Sequence, residues 1–359
     1  MADFNPEPNL AEWRQTVREI VDSPRVSRYL DALDQRAKDY LASLPEEERT
    51  KIEFSASQNH KTHLYQTADL LLPEQDKQMK GYAGSWAEVS RQHAESGLYR
   101  QVVNFFKPEQ GLLVDLGCGA GRFLAEMPEP AIGVDINHYS LQAAESVLSE
   151  RGRSVRRYSR SYISFDPDKG FILKPYPVMD EIDLTGTTLL ADDIENLHNT
   201  MRVLYNQGRK ADMVSFTLSG GYTNKSPLQF IEFMQLGDKE FWEQRRIVHD
   251  KDIMNSVLDN ASKICRSDGR FFLASRLSMY DAERNEYVDK HEELGQEIAK
   301  QHPNVDVVRT TYIPMIQEQG MHGIQIDSRL QLPDGSLLPI PMDLKDVTYS
   351  LYLFDMRVR

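Results

Sequence analysis

The chain has 359 residues, with 42 Lys+Arg against 55 Asp+Glu and a formal net charge of −13. That length suits about two domains, or one domain with large additions, and the acidic balance disfavours broad electrostatic binding to nucleic acid or an anionic membrane. Cys118 and Cys265 are the only cysteines, which excludes a disulfide framework and an all-cysteine zinc site.

The opening MADFNPEPNLAEW lacks the charged-then-apolar pattern of a secretory leader, and no run approaches the ~20 apolar residues of a membrane span. A soluble, cytoplasmic protein is expected. Leu10, Trp13, Val17, Ile20 and Val21 recur at helical spacing, and Pro24 closes that segment. Val26, Tyr29, Leu30, Leu33, Ala37, Tyr40, Leu41 and Leu44 mark a second helix, stopped by Pro45. Leu64, Ala68, Leu71 and Leu72 mark a third, ending before Pro73. His60 and His63 share a helical face, but two histidines without a third ligand make a poor metal site, so no metal is expected. Gly81 and Gly84 read as a flexible joint, with Ser85 capping the helix that follows. Residues 1–97 are thus expected to form a helical cap and substrate region ahead of a core at 98–359.

The core alternates strand and helix, the mark of a mostly parallel sheet in an α/β fold. Strands are expected near 112–116, 131–135, 187–191, 211–217 and 270–276, and helices near 120–127, 139–150, 194–206 and 249–265. The apolar run from Leu112 to Val114 suits burial on both faces. Two additions interrupt this pattern, at about 151–185 and about 315–345. Asp168, Lys169 and Gly170 predict a hairpin turn in the first. Pro333, Asp334 and Gly335 predict one in the second. The closing YSLYLFDMRVR alternates as a last strand should. Segments with Phe230, Phe233, Phe241 and Trp242 read as helices walling one side of a pocket.

The most informative stretch is LLVDLGCGAGRF, Leu112 to Phe123, followed by AIGVDIN, Ala131 to Asn137. Glycines let backbone approach a ligand closely because no Cβ intervenes. An acid closing the next strand, Asp135, can accept ribose hydroxyls. Twenty residues separate Asp115 from Asp135, which suits one strand–helix–strand unit. A dinucleotide fold uses G-x-G-x-x-G, with pyrophosphate over the helix N-terminus. Here the spacing is G-x-G-x-G, and Asp115 precedes it. That carboxylate repels a pyrophosphate and attracts an ammonium. The pattern therefore favours a ligand with an amine and a ribose and no phosphate.

These residues resemble the class I S-adenosylmethionine (SAM)-dependent methyltransferases. The resemblance covers roughly residues 98–280. It implies a Rossmann-like, seven-stranded, mostly parallel sheet with helices on both faces. It also implies SAM as cofactor and S-adenosylhomocysteine (SAH) as product. By position, Asp115, Gly117, Cys118, Gly119 and Gly121 would hold the methionine part, with Cys118 a small residue that fits the turn. Asp135 and Ile136 would sit at the ribose. In LLADDIENL, Leu189 to Leu197, Asp193 would bond the adenine amine and the backbone of Ile194 would contact the ring. Asp192 is the competing assignment. ADMVSFTLSGG and FFLASRL resemble the fourth strand with its substrate-side loop, and the fifth strand.

Methyl transfer from a sulfonium is an in-line displacement, so the protein mainly aligns, excludes water and handles a proton. No protein nucleophile is required. Tyr222 in the substrate-side loop and His249 are the candidates for proton handling, each with a plain packing or surface role as the competing reading. Tyr82, Trp86 and Tyr99 are candidates to close over the site, where an aromatic face stabilises a cation by roughly 0.5–2 kcal/mol. Arg151, Arg153, Arg156, Arg157 and Arg160 form a basic cluster. If 155–163 is one strand, Arg156, Tyr158, Arg160 and Tyr162 share a face. Arg156 and Arg160 would then receive an anionic group, and the competing reading is a solvated surface. The loop after the fourth strand lacks the Asn/Asp-Pro-Pro-aromatic sequence of nucleobase-amine methylases. The expectation is a methyltransferase acting on a small-molecule acceptor, anionic groups included, in an enclosed pocket, with no nucleic-acid partner. Two alternatives stand beside it: a methyltransferase acting on peptide, protein or RNA, and a SAM-binding sensor or assembly subunit without catalysis.

Overall fold

Apolar strands too short to fold alone must bury both faces, and the chain does this by laying helices on each side of one large sheet. The computed structural model describes residues 10–43, 45–46, 60–166, 170–178, 182–217, 254–277, 280–281, 286–287, 291–316, 325–326 and 347–359. By internal contacts the chain divides into two units. One comprises Met1–Lys80, Ser161–Lys174 and Tyr222–Ile247; the other comprises Gly81–Arg160, Pro175–Gly221 and Val248–Arg359.

In the first unit, α1 (Leu10–Asp22) and α2 (Pro24–Ser43) follow the expected spacing. Val17 and Val21 are buried, as are Val26 and Leu30. Pro24 ends one helix by starting the next: Ser23 Oγ accepts the Val26 N–H at 3.4 Å, a serine cap with proline at the first helical position. The third helix departs from expectation. α3 runs from His60 to Glu95 without a break at Pro73 and without a joint at Gly81 or Gly84. Proline removes one backbone hydrogen bond from a helix of 36 residues, and the others persist. Past the glycines, buried Ala83, Ser90 and His93 with half-buried Trp86 keep helical spacing. Ser85 therefore lies inside a helix rather than capping one.

The second unit holds the sheet. α4 (Leu98–Phe106) leads into β1 (Leu113–Leu116), then β2 (Ala131–Asp135), α5 (His138–Glu150) and β3 (Val155–Tyr158). β4 (Ser161–Asp166) and β5 (Gly170–Pro175), which but for Pro175 fall in the first unit, pair separately as the expected two-stranded ribbon. β6 (Thr187–Ala191), α6 (His198–Asn206) and β7 (Ala211–Thr217) follow. After them come a helix α7 over 254–264, β8 (Cys265–Leu277), and a ribbon of β9 (Tyr280–Asp281) with β10 (Glu286–Tyr287). α8 (His291–Gln301), β11 (Val305–Ile316), β12 (Gln325–Ile326) and β13 (Val347–Val358) complete the chain.

Among the described residues the main sheet has nine strands in the order β12-β11-β13-β8-β7-β1-β2-β6-β3. The expected count was seven; β3 and β12 each add an edge. From β3 to β8 every pairing is parallel. β13 then runs antiparallel between β8 and β11. One face of the sheet packs Val114, Leu116, Val134 and Phe271 against Val203, Leu258 and Ile264 of α6 and α7. The other packs Leu113, Ala131 and Phe272 against Phe106 of α4 and Leu141 of α5. Successive residues such as Leu113 and Val114 thus serve opposite layers, as strand geometry requires. At one corner, buried Asp355 on β13 binds Arg270 of β8 and Arg309 of β11, and those guanidiniums also donate to carbonyls of Phe105, Phe106 and Lys107.

Two further expectations are corrected. The helix expected over 120–127 is only a 3-10 turn at Leu124–Glu126, because Gly117, Gly119 and Gly121 all hold positive φ. The helix expected from 194 starts at His198, after Leu197 adopts a left-handed conformation. The hairpin expected at Pro333–Gly335 lies outside the described residues, as do Phe230, Phe233, Phe241 and Trp242.

Candidate functional site

The strand order reverses at β1: β2 lies on one side and β7, the next parallel strand along the chain after β6, lies on the other. In open parallel sheets, ligands bind beyond the strand C-termini at such a reversal. Asp115, the Gly117–Gly121 turn and Asp135 all fall there. Gly117, Gly119 and Gly121 have φ of 67°, 52° and 70°, the left-handed region that glycine alone enters freely. The turn is tied to β2 by Cys118 N–H donating to the Val134 carbonyl at 2.9 Å. It is also tied to Asp135, whose Oδ2 accepts the Gly119 N–H at 3.0 Å. A Cβ on Gly121 would lie 2.9 Å from Ala144 Cβ, so this glycine is also what lets the turn seat on α5.

The two acids differ in how they are satisfied. Asp135 accepts from Gly119 through Oδ2 and from Asn137 N–H through Oδ1 at 2.8 Å. Burial pushes its carboxyl up to about 6, opposed by those N–H donors. Asp115 is 1% exposed. Its Oδ1 accepts the Ser215 hydroxyl at 2.7 Å, while its Oδ2 is buried and has no hydrogen-bond partner among the described residues. Burial pushes this carboxyl up to about 7; the Ser215 hydroxyl opposes the shift and the Asp135 charge adds to it. Ser215 escaped the sequence reading. The one signal for it was a hydroxyl within the otherwise apolar strand run MVSF.

Cys118 is buried, and burial drives its thiol well above the ordinary range, which makes it inert rather than reactive. Ile136 is half-buried beside Asp135.

On the β6 side, Asp192 and Asp193 part ways. Asp192 is fully buried and committed inward: Oδ2 accepts the Thr200 N–H at 2.7 Å and its hydroxyl at 2.9 Å, and Oδ1 accepts the Asp193 N–H. Asp193 is half-buried, with oxygens on Glu195 N–H and the Asn196 amide. The Ile194 side chain packs on the core and its carbonyl accepts from Asn260.

Trp86 reaches the glycine turn. A Cβ on Gly119 would stand 3.3 Å from its indole Cδ1, so the ring lies against the bare backbone. Tyr82 stacks near Trp86, with centroids 6.4 Å apart. Tyr99 instead is buried between His93 and Phe123.

The arginine cluster does not assemble. β3 ends at Tyr158 and β4 begins at Ser161, so 155–163 is not one strand and the expected common face does not exist. Arg151 faces Glu126, Arg153 donates to the Ala125 carbonyl, Arg156 pairs with Asp183 at 3.3 Å and Arg157 with Glu145 at 2.7 Å. Arg160 lies over the Tyr176 ring. Tyr222 and His249 lie outside the described residues. Among the described residues no group of three or more His, Cys, Asp or Glu could hold a metal ion, and no helix is long and apolar enough to cross a membrane.

No family model and no curated protein matches the chain. Many solved structures that align with it are SAM-dependent methyltransferases. Precorrin-6y C5,15-methyltransferase from Geobacter metallireducens is 9% identical at a TM-score of 0.33, over 72% of this chain and 86% of that one. A SAM-dependent methyltransferase from Thermotoga maritima is 15% identical at 0.33, over 75% and 91%. Magnesium protoporphyrin IX methyltransferase from Synechocystis PCC 6803, with bound SAM, is 13% identical at 0.34, over 75% and 80%. At such scores these likenesses carry no weight for function.

Proposed function

We propose that the chain is a SAM-dependent methyltransferase acting on a small-molecule acceptor. One observation carries the reading. A buried carboxylate oxygen, Asp115 Oδ2, has no hydrogen-bond partner among the described residues, and it stands beside a positive-φ glycine turn at the reversal of a parallel sheet. An unpaired buried carboxylate is expensive unless a cation joins it, and an amino-acid ammonium is the cation that such a cradle admits. A pyrophosphate ligand fits poorly against two acids.

In this reading Asp115 Oδ2 accepts from the ammonium of the methionine part. Asp135 uses its remaining lone pairs for the ribose hydroxyls while it keeps Gly119 and Asn137 in place. Ile136 lines the ribose, and Asp193 with the Ile194 N–H reads the adenine edge. Asp192 is spent on Thr200 and serves the fold. Gly117, Cys118 and Gly119 present backbone without bulk. Trp86, with Tyr82 behind it, covers the turn and excludes water. When bound, SAM supplies an electrophilic methyl on a sulfonium. The chain then aligns the acceptor and takes its proton, and Tyr222 and His249 are proposed for that step. Arg156 and Arg160 already have partners and are left out of the acceptor site. The dispersed arginines and the net charge of −13 support a small acceptor over RNA, whose backbone would need clustered cations.

Calorimetry with SAH tests the cofactor site. The parent should bind, and Asp135→Ala should bind roughly 10- to 100-fold more weakly, the worth of one hydrogen bond to a charged group. Equal affinities would remove Asp135 from the ribose. For the acceptor, a cell extract split by ultrafiltration is incubated with enzyme and methyl-labelled SAM. Label confined to the macromolecular fraction would overturn the small-molecule assignment.

A further inference from the structure

Ser215 and Asp115 are 100 residues apart in the chain, yet they are register partners on adjacent strands β7 and β1. Both are buried, at 0% and 1% exposure. The hydroxyl donates to Oδ1 at 2.7 Å, so it fixes which carboxylate oxygen stays open. We propose that Ser215 is a positioning residue of the cofactor site: its hydroxyl holds one oxygen of the Asp115 carboxylate so that the other faces an incoming ammonium, and so couples ligand binding to the charge state of Asp115. This rests on the SAM reading above.

Opposing effects act on the one carboxyl. Desolvation and the like charge of Asp135 both favour the protonated acid. A hydrogen bond to the charged form opposes them, and Ser215 supplies the only side-chain donor to Asp115 among the described residues. The other titratable groups acting there are Asp135 from β2 and the Cys118 thiol from the turn. Neither is a cation. Without Ser215, no described side chain stabilises the Asp115 charge, and that task falls to a ligand's cation. An ammonium arriving at a protonated carboxyl meets a neutral group, and binding must then expel a proton.

The experiment has two readouts on the same proteins. Carbon-13 NMR follows the Asp115 carboxyl through a pH titration without ligand, with the signal assigned by its loss in Asp115→Asn. Calorimetry follows SAH affinity across the same pH range. In Ser215→Ala the Asp115 midpoint should move to higher pH. SAH affinity should fall about tenfold on the acid side of neutrality and recover toward the parent value in base. Ser215→Thr, which keeps the hydroxyl, should restore both curves. A midpoint unchanged in Ser215→Ala overturns the proposal whatever SAH does. A uniform loss of affinity at all pH values overturns it too, since a merely structural role would act that way. A midpoint that moves while SAH fails to bind even the parent sinks the cofactor reading, and with it the ligand half of this one.

Discussion

A carboxyl that ionises near 3.8 in the unfolded chain and about 7 in the fold is a stability switch, and Asp115→Asn is the clean way to remove it. The direction follows from linkage. A raised folded value means the native state holds the proton more tightly than the unfolded state. The contribution is present in full below the unfolded value, declines as pH rises, and is gone above about 7. The difference amounts to about 4 kcal/mol for one group at full ionisation, at 1.36 kcal/mol per tenfold change in proton affinity. Burial dominates because the effective desolvation penalty is several kcal/mol per ion, whereas one hydrogen bond to a charged group returns about 1.5–3 kcal/mol. Asparagine keeps the shape and an acceptor for Ser215 but does not titrate. Urea unfolding of both proteins, between pH about 4 and about 8, isolates the effect because the other acids largely cancel in the difference. The repulsion from Asp135 is already counted, since it is one of the causes that raise Asp115. The parent should therefore lose up to about 4 kcal/mol relative to Asp115→Asn as pH rises. Saturating SAH should close much of that gap, since ligand at 100 times its Kd adds about 2.7 kcal/mol to the form that binds it. Parallel curves without ligand would show that Asp115 ionises as an ordinary carboxylate, and the argument from a buried, unpartnered oxygen would fail.

Gly121→Ala should cost about 2–4 kcal/mol. About 1–2 comes from forcing an L-residue to positive φ and the rest from overpacking, since the new Cβ would sit 2.9 Å from Ala144; an unaltered urea midpoint would show that the turn relaxes freely. Asp355→Ala should cost about 3 kcal/mol by leaving a mostly buried Arg270 without its carboxylate, with side-chain exposure of 15% for Arg270 against 41% for Arg309. Arg309 can turn to water and should add little, so Arg309→Ala alone should lower stability by less than Asp355→Ala, and the reverse order would refute that apportioning.

The parallel part of the sheet was legible because its strands are buried on both faces and so read as unbroken apolar runs. β1, β2, β6 and β7 fall where those runs fall. The glycine turn and its two acids were legible because their spacing is a local property. What local signals misread was continuity. Pro73, Gly81 and Gly84 each carry the mark of a break, but the buried positions beyond them keep helical spacing, and packing overrides propensity. The edge strands β3 and β12 are short and carry weak patterns. The arginines failed as a cluster for a related reason. Their partners, Glu126, Glu145 and Asp183, are brought to them by the fold, and five neighbouring positive charges in sequence say nothing about where each finds its carboxylate.

The two acids of the site show the same limit at finer grain. In sequence Asp115 and Asp135 are the same kind of residue at the end of the same kind of strand. In the fold they are unlike, and the difference is a matter of donors. Asp135 ends its strand where the chain turns, so backbone N–H groups from Gly119 and Asn137 reach both its oxygens. Asp115 lies inside its strand, where the neighbouring backbone is already spent on the ladder with β2 and β7. Only a side chain can reach it, and the one that does comes from β7. A donor that arrives through sheet register rather than through neighbouring residues leaves no motif to find. That is why Asp135, held by two backbone donors, is raised less than Asp115, which one hydroxyl holds and which is left open to whatever cation enters the site.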